Sequence, residues 1–319
     1  MHDEYSSRSQ LLFQVASWYY RHQQTMDAIA HRLGVSRPTV SRMLQQARDS
    51  GLVEITLRPP PETVMGLERH FDRHFGVRAT VIESGTVDPR DGRLRVAAAA
   101  ARFLEQHVVA GTVLGVSWGR TIDLVGRALV QVPRQNAVVV QLNGTASPVD
   151  DSQGPEAILA RFGEAFSSKV LHFAVPAFFD KPGTREAMWL ERSITRILEV
   201  QRSADVAVFG VGSVTSGVPS PVYTSRYLDE SDQAELLSAG VVGDVCTVFL
   251  RADGSHDGVA LNQRTTGLQP ADLRRIPTRL CVVAGTDRAT ALRAALRAGL
   301  ITHLIVDAPT AKTLADHEP

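Results

Sequence analysis

From residue 77 to the end, the chain repeats one pattern: a run of four to six almost wholly apolar residues followed by an amphipathic helical stretch. Strands are expected at 79–82, 113–116, 137–142, 171–175, 206–209, 245–250, 280–283 and 303–306. Helices are expected at 94–106, 121–130, 155–168, 186–200, 231–238, 289–298 and 310–316. A strand that is apolar on both faces must be covered on both, and alternation with helices supplies that cover through parallel crossovers. The segment 77–319 is therefore expected to be an α/β domain built on a mainly parallel, Rossmann-like sheet. Ligands of such sheets sit outside the carboxyl ends of the strands.

Upstream the pattern differs. Pro59-Pro60-Pro61 cannot continue a helix or a paired strand, and closes a first segment, 1–58. Residues 59–76 are expected to be a linker and a connecting helix over 62–75, whose Val64, Leu67, Phe71 and Phe75 could pack on either domain or on a partner subunit. The chain's 319 residues, 44% hydrophobic and 21% charged, suffice for two folded units. No run approaches the ~20 apolar residues of a membrane span, and the polar start, with Asp3 and Glu4, is unlike a signal peptide, so no membrane partner and a cytoplasmic setting are expected. Cys246 and Cys281 each fall within an expected strand and read as buried thiols before a disulfide or metal pair.

The strongest local signal runs over 26–46. Thr25 can cap a short helix whose Ile29, Ala30 and Leu33 face inward. Gly34 stands where the chain must turn sharply, Val35 is expected to plug the junction, Ser36 can cap a second helix, and Pro38 is tolerated in its first turn. Val40, Met43 and Leu44 then face inward and Arg37, Ser41, Arg42 and Gln45 outward. That is a helix-turn-helix whose second helix can enter a major groove. Candidate DNA contacts are Ser36, Arg37, Thr39, Ser41, Arg42 and Gln45, the arginines suiting guanine edges or phosphate. The alternative is a helical hairpin with a solvated basic face. The net charge of zero excludes indiscriminate coating of nucleic acid but not local readout. Leu11, Leu12, Val15, Ala16, Tyr19 and Tyr20 fit a support helix, Gly51 ends the second helix, and 52–57 alternates like the strand of a short wing.

These residues resemble the head of the SorC family of bacterial sugar-responsive regulators: Val15-Ala16, Tyr19-Tyr20, Ile29-Ala30, Leu33-Gly34-Val35-Ser36-Arg37, Val40-Ser41-Arg42, Ala47-Arg48 and Gly51-Leu52-Val53. The likeness continues through 115–121, 141–144, 210–213, Gly243-Asp244, Asp253-Gly254, 294–297, 304–307 and Thr310-Ala311. It implies a winged helix-turn-helix on a sugar-isomerase-like α/β domain, a homo-oligomer (dimer or tetramer), double-stranded operator DNA as one partner and a small phosphorylated sugar as effector.

Independently of family, 115–121 has the make-up of an anion cradle: it follows a buried strand, carries Gly115, Gly119, Ser117 and Thr121, and opens a helix at Arg120. The other reading is an ordinary strand-to-helix turn. Gly210 and Gly212 follow another apolar strand and could line the same crevice or form only a turn; Asn143 could bind a sugar hydroxyl or fasten a turn. For Asp244 the resemblance implies a hydroxyl-binding carboxylate, against a loop-stabilising one, while Asp253-Gly254 reads as a turn. Family members commonly carry a lysine near the place of Arg288; arginine can clamp phosphate but cannot form an imine.

The alternative function is a sugar-phosphate isomerase-like enzyme with a helical extension, but Glu164, His172 and His256 stand in no recognisable catalytic arrangement. A protein-binding adaptor would leave Arg37 and Arg42 unexplained. None of the ten histidines is read as part of a metal-binding pair and no Walker loop occurs, so no metal and no cofactor is expected.

Overall fold

A computed structural model describes residues 2–53, 55, 61–83, 89–145, 154–214, 221–224 and 228–316. The chain divides into two compact units, Met1–Arg58 and Pro59–Pro319.

The first unit is built from α1 (His2–Ala16), a π-helical turn (Ser17–Arg21), α2 (Met26–Leu33) and α3 (Arg37–Asp49). Leu12, Val15 and Ala16 of α1, Ile29 and Ala30 of α2, and Val40, Leu44 and Ala47 of α3 form one buried core. Thr25 caps α2, its hydroxyl accepting the Ala28 N–H at 3.2 Å. Gly34 ends α2 at φ +68°, with open space where a Cβ would stand, so the backbone conformation and not crowding requires glycine there. Two expectations fail. Val35 is 38% exposed rather than a plug, and the buried core of this unit is made without it, Ile29 and Val40 being fully buried there. No wing strand forms at Leu52, Val53 or Ile55, and the rest of 52–57 lies outside the described residues.

The second unit opens with α4 (Pro61–Phe75), β1 (Arg78–Ile82), α5 (Pro89–His107), β2 (Val113–Val116), α6 (Arg120–Ala128), β3 (Val138–Gln141), α7 (Pro155–Phe166) and β4 (Lys169–Leu171). Next come α8 (Pro182–Trp189), α9 (Arg192–Arg202), β5 (Val206–Phe209), β6 (Gly212–Ser213), α10 (Pro221–Thr224), α11 (Glu230–Ser238), β7 (Val241–Val245) and β8 (Val248–Arg251). The last elements are α12 (Pro270–Leu273), β9 (Thr278–Val283), α13 (Ala289–Arg297), β10 (His303–Asp307) and α14 (Ala308–Ala315).

Among the described residues seven strands form one wholly parallel sheet in the order β1-β10-β9-β5-β2-β3-β4, the Rossmann-like arrangement expected. Strand alternation feeds a core on each face. Val206, Val208, Leu280, Val282 and Ile305 join α5, α6 and α7, whereas Ala207, Phe209, Cys281, Val283, Leu304 and Val306 join α4, α13 and α14. Phe71 of the connecting helix is fully buried in the second core, with Val64, Leu67 and Phe75 packed against it, so its apolar stripe covers the α/β unit. No helix among the described residues is long and apolar enough to cross a membrane.

Differences from expectation have local causes. The run 245–250 is not one strand: Cys246 and Thr247, at φ +49° and +66°, turn the chain between β7 and β8. Cys246 therefore sits in a turn, while Cys281 lies in β9; both thiols are free and buried. With β6, these strands make a separate three-stranded antiparallel sheet. The helix expected at 186–200 is two, broken where Glu191 turns extended to start α9. The pairing expected at 171–175 stops at Leu171, after which Phe173 and Val175 anchor a small core under α9.

Candidate functional site

On the first unit, α3 turns Arg37, Ser41, Arg42 and Gln45 outward, with Thr39 half-buried beside them. Ser36 takes the N-cap position, but its hydroxyl bonds the Thr39 hydroxyl at 2.9 Å rather than a backbone N–H. Arg37 Nε lies 3.8 Å from Asp27 Oδ1 with both side chains largely exposed, a pair so weak that a phosphate can displace it. Arg42 makes one long contact, Nε to the Pro38 carbonyl at 3.5 Å. Gln45 is more committed: its amide donates to Asp49 Oδ1 at 2.9 Å and accepts from Arg48 Nη2 at 2.5 Å. Arg48 also donates to the Tyr20 hydroxyl at 3.0 Å, tying α3 to the π-helical turn across 28 residues of sequence.

The second unit carries a cleft at its topological switch point. From β2 the chain winds outward through β3 and β4 on one side, then returns to place β5 on the other. The loops leaving β2 and β5 therefore part, opening a crevice at the carboxyl ends of these two strands. The cleft, whose empty space counted together with the solvent at its open mouth is about 540 Å³, is lined by Ser117, Gly119, Arg120 and Thr121 after β2, Asn143 after β3, and Gly210 and Gly212 after β5. Asp244 and Arg288 also line it, so nine of the ten residues expected at an effector site share one cavity. Gly115 does not line it. It lies within β2, where a Cβ would collide with Leu142, so its role is close packing.

The wall around α6 favours an anion. Gly119 starts this helix with no side-chain cap, leaving its first amides open. Arg288, between Gly285 and α13, is partly buried, and desolvation lowers its pKa. The nearby Arg93 and Arg120 guanidiniums lower it further, against the opposing pull of Asp287. Three cations thus converge, and none forms an ion pair among the described residues.

The same cleft also holds a carboxyl. Burial pushes the Asp244 carboxyl up to about 6, although the Tyr223 hydroxyl and the Thr247 N–H, donating at 3.2 and 3.1 Å, work to lower it. A Cβ on Gly212 would strike Asp244 Oδ1. Asn143 fastens the cradle: its Oδ1 accepts the Trp118 N–H at 3.3 Å, while the Trp118 indole donates to the Gly144 carbonyl at 2.6 Å. Asp253 accepts the Ser255 N–H at 2.9 Å, as a turn residue does. Trp118, Val222, Cys246 and Thr247 also line the cleft and were not expected there, and Tyr223, next to Val222, reaches Asp244 with its hydroxyl. Only Trp118 lay inside a motif; the others are brought in by the short α10 and the β7–β8 turn, which leave no periodic signal.

Glu164, His172 and His256 do not line the cleft. His70 and His74, a His-x-x-x-His pair that the sequence reading overlooks, sit one turn apart on α4 with ring centroids 4.2 Å apart. No group of three or more potential metal ligands occurs among the described residues.

Residues 60–315 match a family model described as "Putative sugar-binding domain". The chain is 30% identical over 310 residues to the deoxyribonucleoside regulator of Bacillus subtilis (strain 168), covering 97% of this chain and 98% of that protein. A solved domain of a "possible sugar-binding transcriptional regulator" from Arthrobacter aurescens TC1 is 41% identical and superposes with a TM-score of 0.74, covering 81% of this chain and 100% of the domain. The full-length sorbitol operon regulator SorC of Klebsiella pneumoniae, 22% identical, shares the fold at a TM-score of 0.72 over 96% of this chain and 98% of its own.

Proposed function

The chain belongs to the SorC-type family of transcriptional regulators with a sugar-binding domain, and from that premise we propose that α3 reads operator DNA while a phosphorylated sugar or related metabolite occupies the Arg120–Asp244–Arg288 cleft. It is a regulator and not an enzyme, as its relatives are. The observation that carries the effector reading is that Arg120 and Arg288, neither in an ion pair among the described residues, line one cleft with the buried carboxyl of Asp244. Arg120, Arg288 and the open amides of α6 suit a phosphate, and Asp244 suits a sugar hydroxyl. Relatives named for deoxyribonucleosides and for sorbitol support a small-sugar class.

With Arg288 near the family's lysine position, the effector is held non-covalently. The protein acts in the cytoplasm as a dimer or tetramer, whose paired heads read two-fold-related half-sites separated by whole turns of the duplex. Ser36, Arg37, Thr39, Ser41, Arg42 and Gln45 face the groove, with Arg37 and Arg42 making the decisive contacts. Effector binding shifts operator affinity by roughly 5–150-fold, the range of a ~1–3 kcal/mol coupling. The test is titration of the protein's own upstream DNA, with and without a panel of sugar phosphates. A salt-sensitive, sequence-specific shift that one sugar phosphate alters is expected; a shift indifferent to every member of the panel and to Arg288→Ala would overturn the effector reading.

A further inference from the structure

Asp244 is held from two sides by groups that do not themselves belong to an anion cradle. Tyr223 lies on α10, its ring packed 6.1 Å from that of Phe249, and its hydroxyl donates to Asp244 Oδ1 at 3.2 Å. Thr247 donates its backbone N–H to Oδ2 at 3.1 Å from a turn in which two non-glycine residues, Cys246 and Thr247, both have positive φ. L-residues take that conformation at a cost, and here the neighbours enforce it. Thr265 Oγ1 donates to the Thr247 carbonyl at 2.8 Å, and Gly267 leaves room for the Cys246 carbonyl where any side chain would collide. The strained turn thus delivers one N–H to one carboxylate oxygen, while the tyrosine covers the other.

We propose that Tyr223 is the positioning residue of the effector site: together with the Thr247 N–H it clamps Asp244 so that the carboxylate accepts a hydrogen bond from an effector hydroxyl and rejects a carbonyl or ether oxygen at that place. The inference rests on the effector reading above. An ionised carboxylate is acceptor-only, and one hydrogen bond to each oxygen leaves a lone pair on each for the ligand. Protonation makes the group a donor and reverses the selection.

The charged and titratable groups around Asp244 are few. Tyr223 faces it from α10 and the Cys246 thiol from the turn; Arg288 and Asp287 stand before α13, and Arg120 on α6. Neither cleft arginine forms an ion pair with Asp244. Its charge is therefore set by burial on one side and by the Tyr223 and Thr247 donors on the other, a balance that falls at about 6.

The experiment uses the full chain carrying 13C at its aspartate carboxyls, the Asp244 resonance being identified by its loss in Asp244→Asn. A midpoint near 6 is expected in the parent and a higher one in Tyr223→Phe, because the lost donor had favoured the ionised form. A tyrosine of merely structural value would lower thermal stability and leave that midpoint in place, which would overturn the proposal whether or not a ligand binds. In a second arm, ribose 5-phosphate, glucose 6-phosphate and sorbitol 6-phosphate are titrated calorimetrically from about pH 5 to about pH 8. Affinity is expected to fall roughly tenfold as Asp244 protonates, to fall from a higher pH in Tyr223→Phe, and to lose this limb in Asp244→Asn. The same pH profile in all three proteins overturns the proposal, whereas binding of none of the three compounds at any pH overturns the effector reading beneath it.

Discussion

Gly212 and Asp244 are directly opposed in the antiparallel β6–β7 pair, and a side chain at 212 would occupy the space of the Asp244 carboxylate. The strand pair and the cleft thus share one constraint: the acid can stand at the wall only if its cross-strand neighbour has no Cβ. Gly212→Ala is expected to displace Asp244 and weaken sugar-phosphate binding by at least about tenfold, a loss of one charged hydrogen bond. Calorimetry checks the affinity, and a mobility shift on operator DNA without effector checks that the heads remain competent.

Arg288 is expected to matter through charge and geometry together. Arg288→Ala removes a partly desolvated cation from the anion wall and should weaken a phosphorylated effector by roughly 10–100-fold, or ~1.5–3 kcal/mol. Arg288→Lys should recover only part of this, because an ammonium lacks the bidentate fork. Equal binding of the phosphorylated and unphosphorylated sugar by the parent protein would remove the basis for this prediction.

On α3, Arg37→Ala and Arg42→Ala separate two kinds of contact. A residue reading a guanine edge should lose ~1–3 kcal/mol on the operator and relax discrimination at one base pair. A residue on phosphate should weaken all sequences alike and lower the salt slope by about one. Arg37, already near Asp27, is expected to behave in the second way. Operator binding at several salt concentrations, with single-base variants of the site, distinguishes them. A double variant with parental affinity would sink the DNA-reading assignment.

Asp244 should also leave a mark on stability. Its folded pKa, about 6, lies above the ~3.9 of an unfolded aspartate. Between those values the native protein holds a proton that the unfolded chain releases, so stability is expected to fall as pH rises from about 4 to about 6 and then level off. The total is on the order of 3 kcal/mol for about two pH units. Asp244→Asn should flatten this part of the profile, measured by urea unfolding at a series of pH values. An identical slope in both proteins would place the carboxyl's proton elsewhere.

The helical head was legible because each of its signals is local. Thr25 caps, Gly34 turns and Ala30 packs within a stretch of ten residues, and each does so for a reason visible in the side chain alone. The parallel sheet was legible because strands covered on both faces are apolar throughout. The β7–β8 hairpin was not: its turn is Cys246-Thr247, without the Asn-Gly or Asp-Gly pair that marks such turns, inside an otherwise unbroken apolar run. For the same reason Tyr223 could not be connected to Asp244, 21 residues away, since nothing periodic links them. The helical spacing that ran through Leu190 and Glu191 likewise hid the break between α8 and α9. Cleft residues next to strand ends could be found from pattern; those delivered by turns needed coordinates.

The walls of the switch-point cleft come from segments as distant as Ser117 and Arg288, one following β2 and the other following β9, the two strands that flank the central β5. A small molecule bound there would act as a cross-brace, joining parts of the sheet that could otherwise fray independently. Saturation should therefore raise the free energy of opening the whole unit by RT ln(1 + [L]/Kd), about 2.7 kcal/mol at a hundredfold excess over Kd. Slowed amide exchange would accordingly spread from the lip of β2 out to β10, far from any atom the ligand touches.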